Sequence, residues 1–316
     1  MSVLGGLRLT SLAALLGARR PGVPRPAHPA TGPGTALTVA GALDRARAAG
    51  HPDDVVAALA RRLPGLAPDV QDEVVDPLGR AAALARAAGP AVRPLTLGGA
   101  RARQVDGTTC GSSVLGLLAA AGDPVLALWL VTGTALGVAP GPSADAAGRW
   151  RTLQRVVKAR TGRGGLGPFP WPAALGTPPW GAARTARYAG VRYTHRVVDG
   201  AGAPAVLDAA LDAAARGVPV PLFTGGDLSG GLAAAVPRHV VLLTAADADR
   251  SPSGVARSED GEAARRGARR CWVYEPSSGT VHRLDAARLS QGARDAAVRR
   301  ALGGWPHVVW ALLPDA

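Results

Sequence analysis

The sequence predicts an α+β fold in which helices come first and an antiparallel sheet follows. Two observations carry this expectation. In residues 37–89, Leu43, Ala46, Val55, Val56, Leu59 and Leu63 recur at helical spacing, and further apolar helical runs follow near 110–121 and 148–160. In the second half, short apolar runs bounded by turn residues read as strands: 218–224, 239–244 (HVVLLT), 271–274 (CWVY) and 308–313. Helices segregated from strands in this way mark α+β rather than alternating α/β organisation.

Residues 1–36 are rich in Pro, Gly and Ala and read as a leader with little regular structure. Gly50 and Pro52 split the next stretch into two helices, and Asp53-Asp54 suits the start of the second. A further helix is expected within 69–88, divided at Pro77. Residues 90–99 read as a linker. They set the expected boundary between an N-terminal region, 1–99, and a main domain, 100–316. Residues 125–139 lie between Pro124 and Pro140 and read as a buried helix. A Gly/Pro/Trp-rich loop is expected over 162–181, a short helix over 182–189, a strand over 191–198 and a helix over 206–216 closed by Gly217. Residues 246–269 are charged and read as a flexible surface insertion.

The net charge of +13 invites a nucleic-acid reading. Composition argues against it. Lys158 is the single lysine, Asn and Ile are absent, and the arginines are scattered, as GC-rich codon usage produces. Aromatics are only 4%, so no basic stripe with stacking residues exists, and no nucleic-acid partner is expected. Two cysteines do not make a disulfide framework, and with scattered histidines they supply no closed metal set. No phosphate-binding G-x-x-x-x-G-K-[ST] motif occurs. No cofactor is therefore expected. The most apolar stretch, 125–139, falls short of the roughly 20 residues a membrane span requires. The N-terminus has no basic region ahead of its apolar patch and no A-x-A site, so a cytoplasmic location is expected, with secretion as the alternative.

The sharpest chemical feature is Gln104-Val-Asp-Gly-Thr-Thr-Cys110-Gly-Ser-Ser. A Gly-containing turn feeding an apolar helix places a cysteine at a helix N-terminus, which favours a thiolate and leaves room for substrate. A buried free cysteine is more often a small apolar residue. The Gln six residues earlier shifts the balance, because its amide could fold back to donate to an oxyanion beside the Cys110 N–H. His239 starts an apolar strand, where an imidazole can face a cleft as general base. His28, His51, His195, His282 and His307 have weaker settings, with His195 and His282 expected on exposed strands. Glu275 ends the next strand and could orient the imidazole, although a turn carboxylate has the same pattern. Cys271 opens a short apolar strand and reads as core.

These segments together resemble papain-like cysteine peptidases, closest to the domains that process bacteriocin precursors at double-glycine leaders. The resemblance lies in QVDGTTCGSS, a helix followed by Gly-Val-Pro-Val, the Arg-His-Val-Val-Leu-Leu strand and VYEPSSG. It covers 103–121, 205–244 and 271–285. It implies Cys110 as nucleophile, His239 as base, Gln104 as oxyanion donor, and a peptide or protein substrate cleaved at peptide or isopeptide bonds. It also implies a papain-like fold with helices packed on an antiparallel sheet. The chain departs from the pattern at Glu275, where the family has Asp or Asn, and in long Cys-to-His and His-to-acid intervals. A catalytically drifted binding module, and a secreted effector with amidase or acyl-transfer activity, are the alternatives. Residues 1–99 have no counterpart in the resemblance and would serve as a pro-segment or as a platform for a protein partner. Leu97-Gly98-Gly99 is a tempting self-cleavage site, but about five or six Gly-Gly pairs are expected from this composition and six occur.

Overall fold

The computed structural model describes residues 36–85, 90–137, 141, 145–226, 237–248, 269–291 and 295–315. The leader 1–35 and most of the expected insertion, 249–268, lie outside the described residues. The elements in chain order are α1 (Val39–Ala48), α2 (Asp53–Arg62), α3 (Pro68–Val75), α4 (Arg80–Ala85), β1 (Val92–Pro94), β2 (Thr96–Leu97) and β3 (Ala100–Arg101). Next come α5 (Cys110–Gly122), α6 (Pro124–Thr132), α7 (Ala146–Gly162), α8 (Pro179–Thr185), β4 (Tyr193–Val197) and α9 (Ala203–Ala215). The chain ends with β5 (Val220–Gly225), β6 (His239–Ala246), β7 (Arg270–Glu275), β8 (Thr280–Asp285), α10 (Ala286–Gln291), α11 (Ala296–Ala301) and β9 (His307–Pro314).

The expected α+β organisation is present. A seven-stranded antiparallel sheet runs β1-β8-β7-β6-β5-β9-β4. Side-chain alternation along a strand sends successive residues to opposite faces. Val240 and Leu242 of β6 therefore join the core formed by α5, α6, α7 and α8. Val241 and Leu243 join a second core against α9, α10 and α11. Both faces are covered, which is why β5 and β6 are buried throughout and largely apolar instead of alternating with exposed polar residues.

Residues 90–99 are not a plain linker. β1 lies on the sheet edge beside β8, and β2 pairs with β3 across Gly98-Gly99. Both glycines have positive φ, at 58° and 79°, and a Cβ at Gly98 would stand 2.3 Å from Val131 O. A tight turn pressed on α6 accounts for this Gly-Gly pair. The helices before it share the α5 core through Ala46, Val56, Leu59, Leu63, Val74 and Ala83. Buried Arg80 reaches Asp76 Oδ1 at 3.3 Å, Gly217 O at 2.7 Å and Tyr188 Oη at 3.1 Å, tying α4 to segments more than 100 residues away. The helix expected within 69–88 is divided at Pro77, into α3 and α4. The short helix expected at 182–189 begins earlier, because Pro179 occupies its first turn, where a missing N–H costs nothing.

Helices α5 and α6 are apolar all round because they are buried all round, and they bend 112° at the Asp123 cap between them. Among the described residues no single helix is long and apolar enough to cross a membrane.

The first turn of α5 is fixed to the sheet by one hydroxyl. Tyr274, fully buried in β7, donates to Ala102 O at 2.5 Å. Its single proton is then used, so Ser113 Oγ, 2.9 Å away, is the donor in the second bond. Replacing Tyr274 by Phe is expected to destabilise the protein by about 1–3 kcal/mol, because Ala102 O and Ser113 Oγ both lose a buried partner. Denaturant unfolding of the purified variant checks this. A change within 0.3 kcal/mol of zero, taken as roughly the resolution for single substitutions, would count against the bridge.

Candidate active site

The Cys110 turn is built by local polar contacts. Asp106 Oδ1 accepts from Thr108 N and Thr108 Oγ1, each at 2.7 Å, and Asp106 N donates to Thr109 Oγ1. Lys158 of α7 also donates to Thr108 Oγ1. One turn earlier on α7, Gln154 brackets the segment, accepting from Val105 N and donating to Arg103 O. Hydrogen bonds from Thr108 hold the Asp106 carboxyl below its ordinary range. The turn delivers Cys110 as the first residue of α5, 4% exposed. Its backbone N–H has no partner among the described residues, as expected for the first turn of a helix.

Gly111 follows for a steric reason. A Cβ there would lie 2.5 Å from Thr177 Oγ1. Thr177 belongs to the opposite wall of a small cleft of about 60 Å³, lined by Gly107, Cys110, Leu175, Thr177, Phe223 and His239 among others. The 162–181 loop thus supplies one wall of the cleft and the start of β6 supplies another.

His239 is the first residue of β6 and is 8% exposed. Its Nε2 stands 2.8 Å from Glu275 Oε1, and its ring shares the cleft with Cys110, which favours the charged imidazole. With Nε2 on the carboxylate, Nδ1 is the nitrogen left for the thiol. The register of β6 and β7 explains why the acid is Glu. Leu242 pairs with Tyr274, so continuing the ladder sets Glu275 opposite Val241, two residues along from His239. Such diagonal positions are about 7–8 Å apart, within reach of a long side chain. The extra methylene of Glu relative to Asp spans that diagonal.

Burial opposes charge on both partners, and the hydrogen bonds outweigh it. Burial alone would lower His239, yet Cys110 and Glu275 raise the imidazole to about 9. Burial alone would raise Glu275, yet donors from His239, Ser278 and Ser277 hold it at about 2. The carboxylate is saturated with donors: Ser277 N on Oε1, and Ser278 N and Oγ on Oε2, in addition to His239. The ring itself is roofed by the turn after α11. Gly303 has φ 70°, and a Cβ there would come within 2.2 Å of His239 Cδ2. Thr224, the β5 residue paired with His239, donates to Leu302 O and holds that roof down.

Of the four residues singled out from the sequence, Cys110, His239 and Glu275 come together. Gln104 does not line the cleft. Its Nε2 donates to Asp106 O at 2.8 Å, while its buried Oε1 has no partner. Its backbone N–H donates to Pro276 O, so the residue joins the Cys110 turn to the turn that holds Glu275. His282 is not on an exposed strand face. It is 7% exposed, because α11 packs over β8. Ser277, Ser278, Thr280 and Gly303 escaped the sequence reading. The only signal for the first two was a pair of hydroxyl residues just after an acid, which is ordinary turn chemistry.

A second His–acid pair exists at His51 Nε2 and Asp123 Oδ1, 2.8 Å apart. The same oxygen caps α6 by accepting from Val125 N and Leu126 N, so this pair is an anchored helix cap. Cys271 is fully buried, and burial pushes its thiol up to about 12, which makes it inert. Both cysteines are free, and among the described residues no group of side chains could hold a metal ion.

Compared with protein-family models, curated proteins and solved structures, the chain matches none.

The two displaced titrations set a stability window. His239 is raised, so its contribution is complete below pH 6.5 and is lost as pH climbs through about 9. Glu275 is lowered, so its contribution is complete above pH 4.5 and is lost as pH falls through about 2. Thermal melts across pH are expected to show both contributions in full between 4.5 and 6.5, and Glu275→Gln is expected to weaken both limbs. Superimposable wild-type and Glu275→Gln curves would contradict the pairing.

Proposed function

We propose that the chain is a papain-like cysteine hydrolase acting on peptide or isopeptide bonds. The observation that carries this reading is a buried imidazole held between the only cysteine at a helix N-terminus and a donor-saturated carboxylate. A structural histidine needs neither partner. A nucleophile, base and orienting acid in series is the arrangement that activates a thiol for acyl transfer.

In the proposed reaction the Cys110 thiolate, paired with protonated His239, attacks the carbonyl carbon and forms a C–S bond. The oxyanion takes the unused Cys110 N–H. Gln104 carries a second amide N–H that Asp106 does not use, and this is the donor that the resemblance would assign to the same oxygen. His239 gives its proton to the leaving nitrogen as the C–N bond breaks. Neutral His239 then takes a proton from water, whose oxygen attacks the thioester. The acid product leaves and the thiol is restored. Glu275 remains ionised throughout and keeps Nε2 occupied, so that Nδ1 faces the sulfur.

Iodoacetamide labelling from mildly acidic to mildly basic pH tests this. Wild-type Cys110 is expected to react fast well below the free-thiol value of about 8.5. Cys110→Ala should abolish labelling, and His239→Ala should slow it at least about tenfold. Gly303→Ala is expected to act like a weaker His239 substitution, because the new methyl displaces the ring. A wild-type profile of ordinary thiol shape would overturn the hydrolase reading in favour of a peptide-binding module.

A further inference from the structure

We infer that Ser278, Thr280 and His282 are positioning residues of this site, forming a one-way chain of hydrogen-bond donors that ends on Glu275 and aims its carboxylate at His239. The consequence for chemistry rests on the hydrolase reading. The chain itself rests on geometry.

The distances are continuous. Ser278 Oγ lies 2.7 Å from Glu275 Oε2 and 2.5 Å from Thr280 Oγ1, and Thr280 Oγ1 lies 3.0 Å from His282 Nε2. Counting protons gives the direction. Ionised Glu275 has none, so Ser278 donates to it. That spends the one Ser278 proton, and the Ser278–Thr280 contact must be filled by the Thr280 hydroxyl. The Thr280 proton is then spent, and His282 must donate through Nε2–H. The only other acceptor near Ser278 Oγ is Glu275 O at 3.4 Å, at the limit of hydrogen-bond range. Three contacts and three protons leave one arrangement, with the histidine as the first donor and the catalytic acid as the last acceptor.

The sheet builds this chain. Thr280 pairs with Glu275 across β7 and β8, and His282 pairs with Val273, so the three side chains share one face. That face is covered by α11, and Thr280 and His282 are both 7% exposed. Burial lowers the His282 imidazole, with Glu275 pulling it up and Arg300 pushing it down, so the ring is neutral near pH 7 and its tautomer is a defined property. A serine hydroxyl alone rotates. Accepting from Thr280, which accepts from a buried ring, leaves the Ser278 rotor one favourable setting, and that setting points its proton at Oε2.

Nitrogen-15 histidine NMR of the full chain at pH 7 reads the tautomer directly. His282 is expected as the Nε2–H form in wild type and in Thr280→Ser, and to lose that preference in Thr280→Val. Cys110 alkylation, measured on the same samples, is expected to slow about fivefold in Thr280→Val and in Ser278→Ala, the equivalent of one hydrogen bond, and to recover in Thr280→Ser. His282 in the Nδ1–H form in wild type would reverse the chain and overturn the inference. So would unchanged alkylation in Thr280→Val. If wild-type Cys110 titrates as an ordinary thiol while His282 keeps the Nε2–H form and responds to Thr280→Val, the hydrolase reading falls and the donor chain stands.

Discussion

The buried Tyr274 hydroxyl is the point on which the geometry of the site depends. It accepts from Ser113, one helical turn beyond Cys110, and donates to Ala102, two residues before Gln104. Tyr274 also precedes Glu275. One oxygen therefore sets the rotation of α5, the path of the segment leading into the Cys110 turn and the height of the acid along β7. Such an oxygen is costly to bury unpaired, so its two bonds discriminate strongly against any displaced arrangement of helix and strand.

From that fixed point the electrostatics follow. The imidazole and the carboxylate are both desolvated, which would normally neutralise them. They remain charged because donors converge on the acid from the backbone of its own turn and because the thiol and the acid flank the ring. The contrast with His51 and Asp123 is instructive. That pair has the same 2.8 Å separation but is about one quarter exposed, and its acid is engaged in capping a helix. Distance alone does not distinguish the two pairs. Burial and the identity of the third partner do.

Much of this was legible in the sequence. The Gly-turn-Cys-helix pattern placed Cys110 at the start of α5, and the strand beginning at His239 and the acid ending the following strand were read correctly. These features are local, and local patterns survive in the linear code. The Gln104 contact was not legible, because the turn of Asp106 competes for its amide and no spacing rule reveals that competition. The strand at 92–94 was missed, and the one at 280–285 was read only as an exposed strand carrying His282, for a different reason. β1 is three residues long and contains a proline, and β8 carries His, Arg and Asp, so neither has the apolar run that marked the central strands. The edge position of β1 tolerates the proline, and pairing with β7 supplies what β8 lacks in apolarity. Gly303 was beyond sequence reasoning, since its need for no side chain comes from a ring 64 positions away.

The buried Arg80 has a consequence for what the molecule would lose without its N-terminal helices. Enzymes held silent by a detachable segment need that segment to leave without exposing what it covered. Here the guanidinium satisfies Gly217 O and Tyr188 Oη from within α4, and the helices around it fill the same core as α5. Cutting the chain near residue 90 and shedding what precedes it would strip an edge from one core and leave two interior oxygens bare. Helices α1–α4 are thus a wall of the same core as α5, tied in by a buried guanidinium.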